Sequence, residues 1–213
     1  MGLFQKKPDV SSSAPLYTLG LNKTLLLVGL GNIGNQYSGT RHNLGFACLD
    51  VFAKNQEFGP WQEKKDLKAL VNAKNLADNR VMLIKPTTLM NNSGGALRAV
   101  ASFYKIPLNQ TVVIHDELDI KFGQIKSTWG GGSAGHNGIK SLIQHLGDDS
   151  FGRIRIGIGP KKPIEMDSAD FVLAKFSKDE QNELPNLEKE VIALLTEYVF
   201  SSNLTTETRS FIV

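Results

Sequence analysis

The sequence has a single cysteine and no long apolar run, and both absences limit what the protein can be. Cys48 has no second cysteine to pair with, so no intramolecular disulfide can form and a reducing compartment is expected. No segment approaches the roughly 18 uninterrupted apolar residues of a membrane span, and the N-terminus lacks the apolar block of a secretory signal. These absences favour a cytoplasmic protein that makes no membrane contact.

Patterns of a covalent nucleophile or a metal site are also lacking. No Gly-x-Ser-x-Gly elbow occurs, and Cys48 falls on the apolar face of a predicted helix. His115, Asp116, Glu117 and Asp119 crowd together, but their spacing matches no zinc or calcium pattern. We therefore expect no metal, and a base that acts on water is the chemistry that remains.

What is present is the pattern of one α/β domain. A chain of 213 residues with 41% hydrophobic content can fold around a single core. Helical periodicity follows the predicted strands, which favours a single-domain α/β/α sandwich around a twisted mixed sheet. Continuous apolar runs predict strands buried on both faces at residues 25–30, 81–84 and 112–115, and alternation predicts strands with one polar face at 123–129 and 153–158.

The two ends of the chain are predicted to differ. Residues 1–22 are predicted as a flexible extension, 23–200 as the folded domain and 201–213 as a C-terminal tail. The last helix should begin at Ser177, where Glu180 completes a capping box, and run to about residue 200. We expect a monomer.

The charge is unevenly distributed along the chain. Residues 121–163 carry seven basic and two acidic side chains, whereas residues 164–213 carry four and ten. This asymmetry favours a basic face for a polyanion, although solvated surface charges could give the same count.

The most informative residue is His42, which follows a buried strand and a glycine-rich turn. A titratable imidazole placed in this way can serve as a base in a cleft. His115 and Asp116 alternate on one strand, so only one of them faces that cleft. Asp116 is favoured because its carboxylate can accept the His42 imidazole N–H, and the alternative is that it only caps a turn.

A cofactor-binding interpretation must also be considered, because Gly29-x-Gly31-x-x-Gly34 matches the dinucleotide fingerprint. The loop continues to about Asn43 before a helix can open, and the next clear strand starts only at Val81, so no acid follows at the expected place. The nucleotide cofactor is therefore the weaker interpretation.

Two further polar segments are candidates for the same cleft, since ligands gather at the carboxyl ends of parallel strands. Asn91 follows a predicted strand and could donate N–H groups to an oxyanion, whereas Asn92 or Ser93 could be a helix cap. The glycine run at 129–138 could be a lid whose Asn137 and backbone amides meet an anion, or a plain connector.

Five ordered motifs together resemble one family. They are Gly-Asn-x-Gly-x-x-Tyr-x-x-Thr-Arg-His-Asn at 31–43, Lys-Pro-Thr-Thr-x-Met-Asn-x-Ser-Gly at 85–94, His-Asp-Glu-Leu-Asp at 115–119, Gly-Gly-Gly followed by Gly-His-Asn-Gly up to 138, and Arg-Ile-Arg-Ile-Gly-Ile-Gly at 153–159. With them the chain from Thr24 to about Phe200 resembles the bacterial-type peptidyl-tRNA hydrolases.

The resemblance implies cofactor-free hydrolysis of the ester that joins a peptide to the 3′-terminal ribose of tRNA, which recycles tRNA from stalled translation. It implies that His42 is the base and Asp116 its orienting partner. Asn91 would position water or stabilise the oxyanion, and Asn32 would hold the peptide and help to reject unblocked aminoacyl-tRNA. A neutral imidazole with a pKa of ~6.5 suits such a reaction near pH 7.

The resemblance also implies which residues hold the substrate. Tyr37, Leu89 and Met90 would line the groove, with Asn137 on the lid side. Lys126, Lys140 and Arg155 would contact tRNA phosphates. The sequence departs from the family pattern at Ile33, Leu89, Thr128 and Ser133.

The rival function is an RNA-binding module on the same fold that has lost catalysis. Retention of the histidine, the aspartate and the three asparagines at positions 32, 91 and 137 favours the enzyme.

Overall fold

The computed structural model describes residues 23–161 and 163–212, so the predicted extension 1–22 lies outside the described residues. The strands are β1 (Lys23–Gly29), β2 (Gln62–Lys64), β3 (Ala69–Leu76), β4 (Asn79–Pro86), β5 (Thr111–Lys121), β6 (Gln124–Trp129), β7 (Gly152–Gly159) and β8 (Glu207–Ser210). The helices are α1 (Leu44–Asn55), α2 (Ser93–Tyr104), α3 (Asn137–Leu146), α4 (Ser168–Leu173) and α5 (Lys178–Ser201).

All the strands form one mixed sheet in the order β2-β3-β4-β1-β5-β7-β6-β8. The central strands β4, β1, β5 and β7 are parallel, and the strands on either side are antiparallel. Because β1 is covered on both faces, Leu25 to Val28 are all buried, which explains why this strand shows no alternation.

Helices cover both faces of the sheet. On one face α1 and α5 pack against the strands through side chains such as Phe52 and Leu195. On the other face α2 and α3 contribute Leu97 and Ile139. The predicted α/β/α sandwich around a mixed sheet is therefore confirmed. Within the described ranges, no helix combines the length and the apolar character needed to cross a membrane.

The last long helix begins where the capping signal predicts. Ser177 Oγ accepts a hydrogen bond from the Glu180 backbone N–H at 3.2 Å, and Glu180 Oε2 accepts one from the Ser177 N–H at 2.7 Å. This reciprocal cap precedes α5, which ends one residue beyond the predicted Phe200 and contains Pro185.

Three strands have no clear signal in the sequence. β2 and β3 lie between residue 55 and Val81, where no strand was predicted; β2 is exposed, and only the first half of β3 is buried. β8 lies in the segment 201–213 that was predicted as a tail, and its Glu-Thr-Arg-Ser sequence contains no apolar residue. Phe211, 4% exposed, packs edge-on against Phe122 with ring centroids 5.4 Å apart. The folded unit therefore extends past residue 200 to at least Phe211.

The topology decides where a site can form. β4, β1 and β5 are adjacent and parallel, so their carboxyl ends lie side by side at one edge of the sheet. Three polar segments of the sequence lie at this edge: residues 32–43 follow β1, residues 87–93 follow β4, and residues 115–119 form the last part of β5.

Candidate active site

A cavity of about 420 Å³ opens at the carboxyl ends of β4, β1 and β5. All the residues that the sequence predicted for catalysis and substrate binding line it, namely Asn32, Tyr37, His42, Leu89, Met90, Asn91, Asp116 and Asn137. The expected convergence of the three segments is thus present in the structure.

His42 lies in a single 3₁₀ turn, Arg41–Asn43, directly before α1. Its side chain is largely buried, and Nδ1 lies 3.0 Å from both Oδ1 and Oδ2 of Asp116. An ionised carboxylate can only accept hydrogen bonds, so Nδ1 carries the proton and donates it. The imidazole Nε2 is then left with its lone pair.

Glycines bring the His42 turn close to the strand. A Cβ on Gly29 would collide with the backbone of Gly45, and a Cβ on Gly45 would collide with the backbone of Leu30 and Ile114. α1 starts only at Leu44, well after the last glycine of the dinucleotide-like pattern. Gly29 thus permits close packing of a helix on β1, and no helix opens inside the glycine pattern as a pyrophosphate site requires.

His136 completes the cluster, and sequence reasoning missed it. It is the N-cap of α3, where its Nδ1 accepts hydrogen bonds from the backbone N–H groups of Gly138 and Ile139 at 3.1 and 3.3 Å. Its Nε2 must therefore carry the proton, which it donates to Asp116 Oδ1 at 3.1 Å. The signal was the place of His136 at the end of the glycine run, immediately before a helical pattern.

The two histidines set the charge of Asp116. Burial raises the pKa of this carboxyl, but the electrostatic interaction and hydrogen bond with His136, followed by those with His42, outweigh that effect and hold the pKa well below its usual range. The carboxylate is therefore ionised throughout the physiological pH range.

His115 lies on the opposite face of β5, as strand alternation predicts. Its Nδ1–H donates to the Asp116 carbonyl oxygen at 2.6 Å, and its side chain does not line the cavity. Burial first, and then the electrostatic interaction with His136, lower the pKa of this imidazole well below its usual value. His115 is thus a neutral residue of the protein interior.

By composition, His42, Asp116 and His136 could hold a metal ion, since their ligand atoms lie within 4.8 Å of one another. The hydrogen bonds of His136 do not suit metal binding. The backbone amides of α3 donate to its Nδ1 lone pair, so the proton of the neutral ring is on Nε2. A metal at this place would have to displace that proton. The donor set fits a hydrogen-bonded chain better than a metal site.

The side chain of Asn32 presents donors to the cavity. Its backbone N–H and C=O both bond to the Asn43 amide at 2.9 Å, which fixes the loop. Its Oδ1 accepts the Met90 N–H at 2.7 Å, so Nδ2 remains as the cavity-facing donor. Asn91 and Asn137 also line the cavity, and their side chains are exposed at its mouth.

The far wall is apolar and includes α4, a helix that was not predicted from the sequence. Ala169, Val172 and Leu173 of this helix line the cavity. Arg41 holds the helix in place, because its guanidinium lies 4.3 Å above the Phe171 ring and donates to Glu180 Oε2 at 2.6 Å. The residue next to His42 therefore anchors the opposite wall.

The predicted basic residues lie outside the cavity. Lys126 and Arg155 are register partners on β6 and β7, and Lys140 is exposed on α3. Arg155 also pairs with the buried Glu117. Arg153, expected on the polar face of β7, is only 3% exposed because its guanidinium binds the carbonyls of the glycine run, including Gly132 O at 2.5 Å.

Comparison with known proteins gives the family. Residues 26–211 match the family model of peptidyl-tRNA hydrolase. The chain belongs to the peptidyl-tRNA hydrolase family. A peptidyl-tRNA hydrolase of Geobacter metallireducens is 45% identical over 176 residues, which cover 83% of this chain and 89% of that protein.

Other peptidyl-tRNA hydrolases agree. A chloroplastic peptidyl-tRNA hydrolase of Arabidopsis thaliana is 46% identical over 183 residues, covering 85% of this chain and 61% of that protein. The crystal structure of the peptidyl-tRNA hydrolase from Acinetobacter baumannii superposes with a TM-score of 0.72 at 31% identity, covering 84% of this chain and 89% of that one. The family predicted from the five motifs is confirmed.

Proposed function

We propose that His42 is the general base with which this enzyme hydrolyses the ester between a peptide and the 3′-terminal ribose of tRNA. Peptidyl-tRNA as substrate and ester hydrolysis as reaction follow from membership of the family. The observation that carries the role of His42 is its Nδ1, 3.0 Å from both oxygens of a buried carboxylate, at the wall of the cavity.

The proposed reaction needs only water in addition to the side chains of the cavity. Nε2 of His42 takes a proton from water, and the resulting hydroxide attacks the ester carbonyl carbon. Asp116 stabilises the imidazolium, and the Asn91 amide donates to the developing oxyanion. When the tetrahedral intermediate collapses, the C–O bond to ribose breaks and the imidazolium returns its proton to the ribose oxygen. The products are a peptide carboxylic acid, which loses its proton to solvent, and tRNA with a free hydroxyl.

The remaining assignments concern substrate binding. Tyr37, Leu89 and Met90 would contact the terminal adenosine and the last residue of the peptide, and Asn137 would contact the substrate from the α3 side. Lys126, Lys140 and Arg155 would bind tRNA phosphates without regard to sequence. A monomeric state and a cytoplasmic location remain predictions from the sequence.

The proposed function is tested with the unmodified protein and an N-blocked aminoacyl-tRNA. We expect multiple turnovers that release deacylated tRNA, at a rate unchanged by EDTA, because a histidine base needs no metal. An RNA-binding module without catalysis would instead bind the substrate and leave the ester intact. A rate abolished by EDTA and restored by a divalent cation would contradict the cofactor-free mechanism.

Asn32→Asp is expected to change substrate choice. Met90 N–H can still bond to one carboxylate oxygen, but the cavity then receives a negative oxygen in place of the Nδ2 donor. Such an oxygen repels the blocked, neutral peptide carbonyl and attracts a free α-ammonium group. We expect the preference in kcat/KM for N-blocked over free aminoacyl-tRNA to fall by about tenfold.

The matched control for this experiment is Asn35→Asp. Asn35 is exposed in the same loop and does not line the cavity, so its variant should keep the wild-type preference. If the two variants behave alike, the donor assigned to Asn32 is wrong.

A further inference from the structure

Glu117 is a buried acid that the hydrolytic reaction leaves without a role. It follows Asp116 on β5, its side chain is 2% exposed, and it contributes to the cavity wall. A carboxylate at this depth is costly unless it is both paired and hydrogen-bonded. Its partners therefore indicate what it is for.

Both oxygens of Glu117 are occupied. Oε2 accepts from Nε and Nη2 of Arg155 at 3.1 and 3.0 Å, and Oε1 accepts from the Asp119 N–H at 3.2 Å. His115 and Arg155 are register partners on β5 and β7, which places Glu117 two residues along the same face of the sheet. Two hydrogen bonds along one edge fix the plane of the Arg155 guanidinium.

The rest of that guanidinium is available to a ligand. The Arg155 side chain is 26% exposed, and within the described part of the chain its Nη1 has no hydrogen-bond partner. Lys126 lies directly opposite Arg155 on β6 and points to the same face. A planar donor fork held beside an ammonium group suits a phosphate.

We propose that Glu117 is a positioning residue for tRNA, which holds Arg155 so that Nη1 and the Lys126 ammonium contact the phosphate backbone. This inference rests on the proposed contact of Arg155 with tRNA. Asp116 and Glu117 are consecutive on β5, one bonded to His42 and the other to Arg155. A single rigid strand thus sets the spacing between the hydrolytic centre and the bound backbone.

The test uses Glu117→Gln and Arg155→Lys, alone and combined, in steady-state hydrolysis of N-blocked aminoacyl-tRNA. Each single variant should raise KM by about tenfold, with the loss in KM and not in kcat. Arg155→Lys keeps the positive charge but cannot donate the pair of hydrogen bonds to Glu117. Its KM should therefore rise nearly as much as that of Arg155→Ala. The KM of the combined variant should be no higher than that of the more impaired single variant, because both substitutions remove the same orientation of the Arg155 side chain.

A matched control is Glu197→Gln, which removes an ion-pair partner of Arg209 on β8 and should leave KM unchanged. Thermal melting of each variant identifies any that does not fold. If Glu117→Gln fails to fold, Arg155→Lys decides alone, and a wild-type KM for that variant overturns the inference.

The outcomes separate the inference from the function on which it rests. If Arg155→Ala raises KM but Glu117→Gln and Arg155→Lys do not, the phosphate contact stands and the positioning role is wrong. If Arg155→Ala leaves KM unchanged, the phosphate contact is also wrong. If Glu117→Gln lowers kcat at unchanged KM, Glu117 acts on the hydrolytic centre and the inference is overturned. Failure of the wild type to hydrolyse the substrate would instead reject the proposed function.

Discussion

His42→Ala is expected to lower kcat for peptidyl-tRNA hydrolysis by about 10²–10⁴-fold, the usual contribution of a general base. The substitution removes the imidazole from the cavity wall but leaves the hydrogen-bond donors of Asn32 and Asn91 in place. It also leaves unchanged the basic side chains proposed to bind tRNA, Lys126, Lys140 and Arg155. KM should therefore change little, and the loss should appear in single-turnover rates at saturating enzyme.

Added imidazole gives a second measurement on the same variant. The cavity, about 420 Å³ before the side chain is removed, leaves room for a small base, and imidazole should restore part of the rate in a concentration-dependent way. His145→Asn is the matched control, because His145 lies on α3, does not line this cavity and, among the residues that the structure describes, bonds only to Ser141. If His42→Ala and His145→Asn hydrolyse the substrate equally fast, His42 is not the base.

More of the residues in this centre could be predicted from the sequence than the hydrogen bonds and ion pairs between them. Glycine-rich and asparagine-rich segments at strand ends could be assigned to one cleft because parallel strands deliver them to one edge of the sheet. The pairing of His42 with Asp116 could be predicted because a base needs an acceptor behind it. Both predictions follow from strand order and residue chemistry, without knowledge of the distances between the side chains.

What the sequence could not supply depends on long-range packing. The hydrogen bond between His136 and Asp116 joins the start of α3 to β5, and no pattern in either segment shows that these two side chains meet. The ion pair of Arg155 with Glu117 depends on the register of β5 against β7, which the apolar pattern does not fix. β8 forms because β6 offers an edge, although its own residues are polar.

Asp116→Asn is expected to abolish most of the general-base contribution, again about 10²–10⁴-fold in kcat. The carboxylate accepts one N–H from each of two histidines, whereas an amide offers one acceptor and one NH₂ donor. His136 cannot reverse its tautomer, because its Nδ1 already accepts from two backbone N–H groups. His42 must then accept at Nδ1 and carry its proton on Nε2, where a base needs the lone pair.

The same substitution should change the pH dependence of stability. In the folded protein the pKa of Asp116 lies below the ordinary carboxyl value of 3.8. The contribution of Asp116 to the free energy of unfolding is therefore fully present above pH 3.8 and declines as the pH falls toward the pKa of the folded state. Removing one partner of a buried charged cluster costs about 3 kcal/mol near pH 7. In urea unfolding, the wild-type advantage should be constant above about pH 5 and smaller by about 1 kcal/mol at about pH 3. An advantage that grows on acidification would contradict this assignment.

The tautomer argument makes a stronger prediction for the combined variant Asp116→Asn with His136→Asn. Asparagine is a good helix N-cap, so α3 keeps its cap, but its side chain is too short to reach the side chain at position 116 with a donor. Without the His136 N–H, the amide at position 116 can turn its oxygen to His42 Nδ1 and restore a free lone pair on Nε2. We expect the combined variant to be about tenfold faster than Asp116→Asn alone. If His136→Asn instead slows both backgrounds by the same factor, His136 contributes independently and does not control the tautomer of His42.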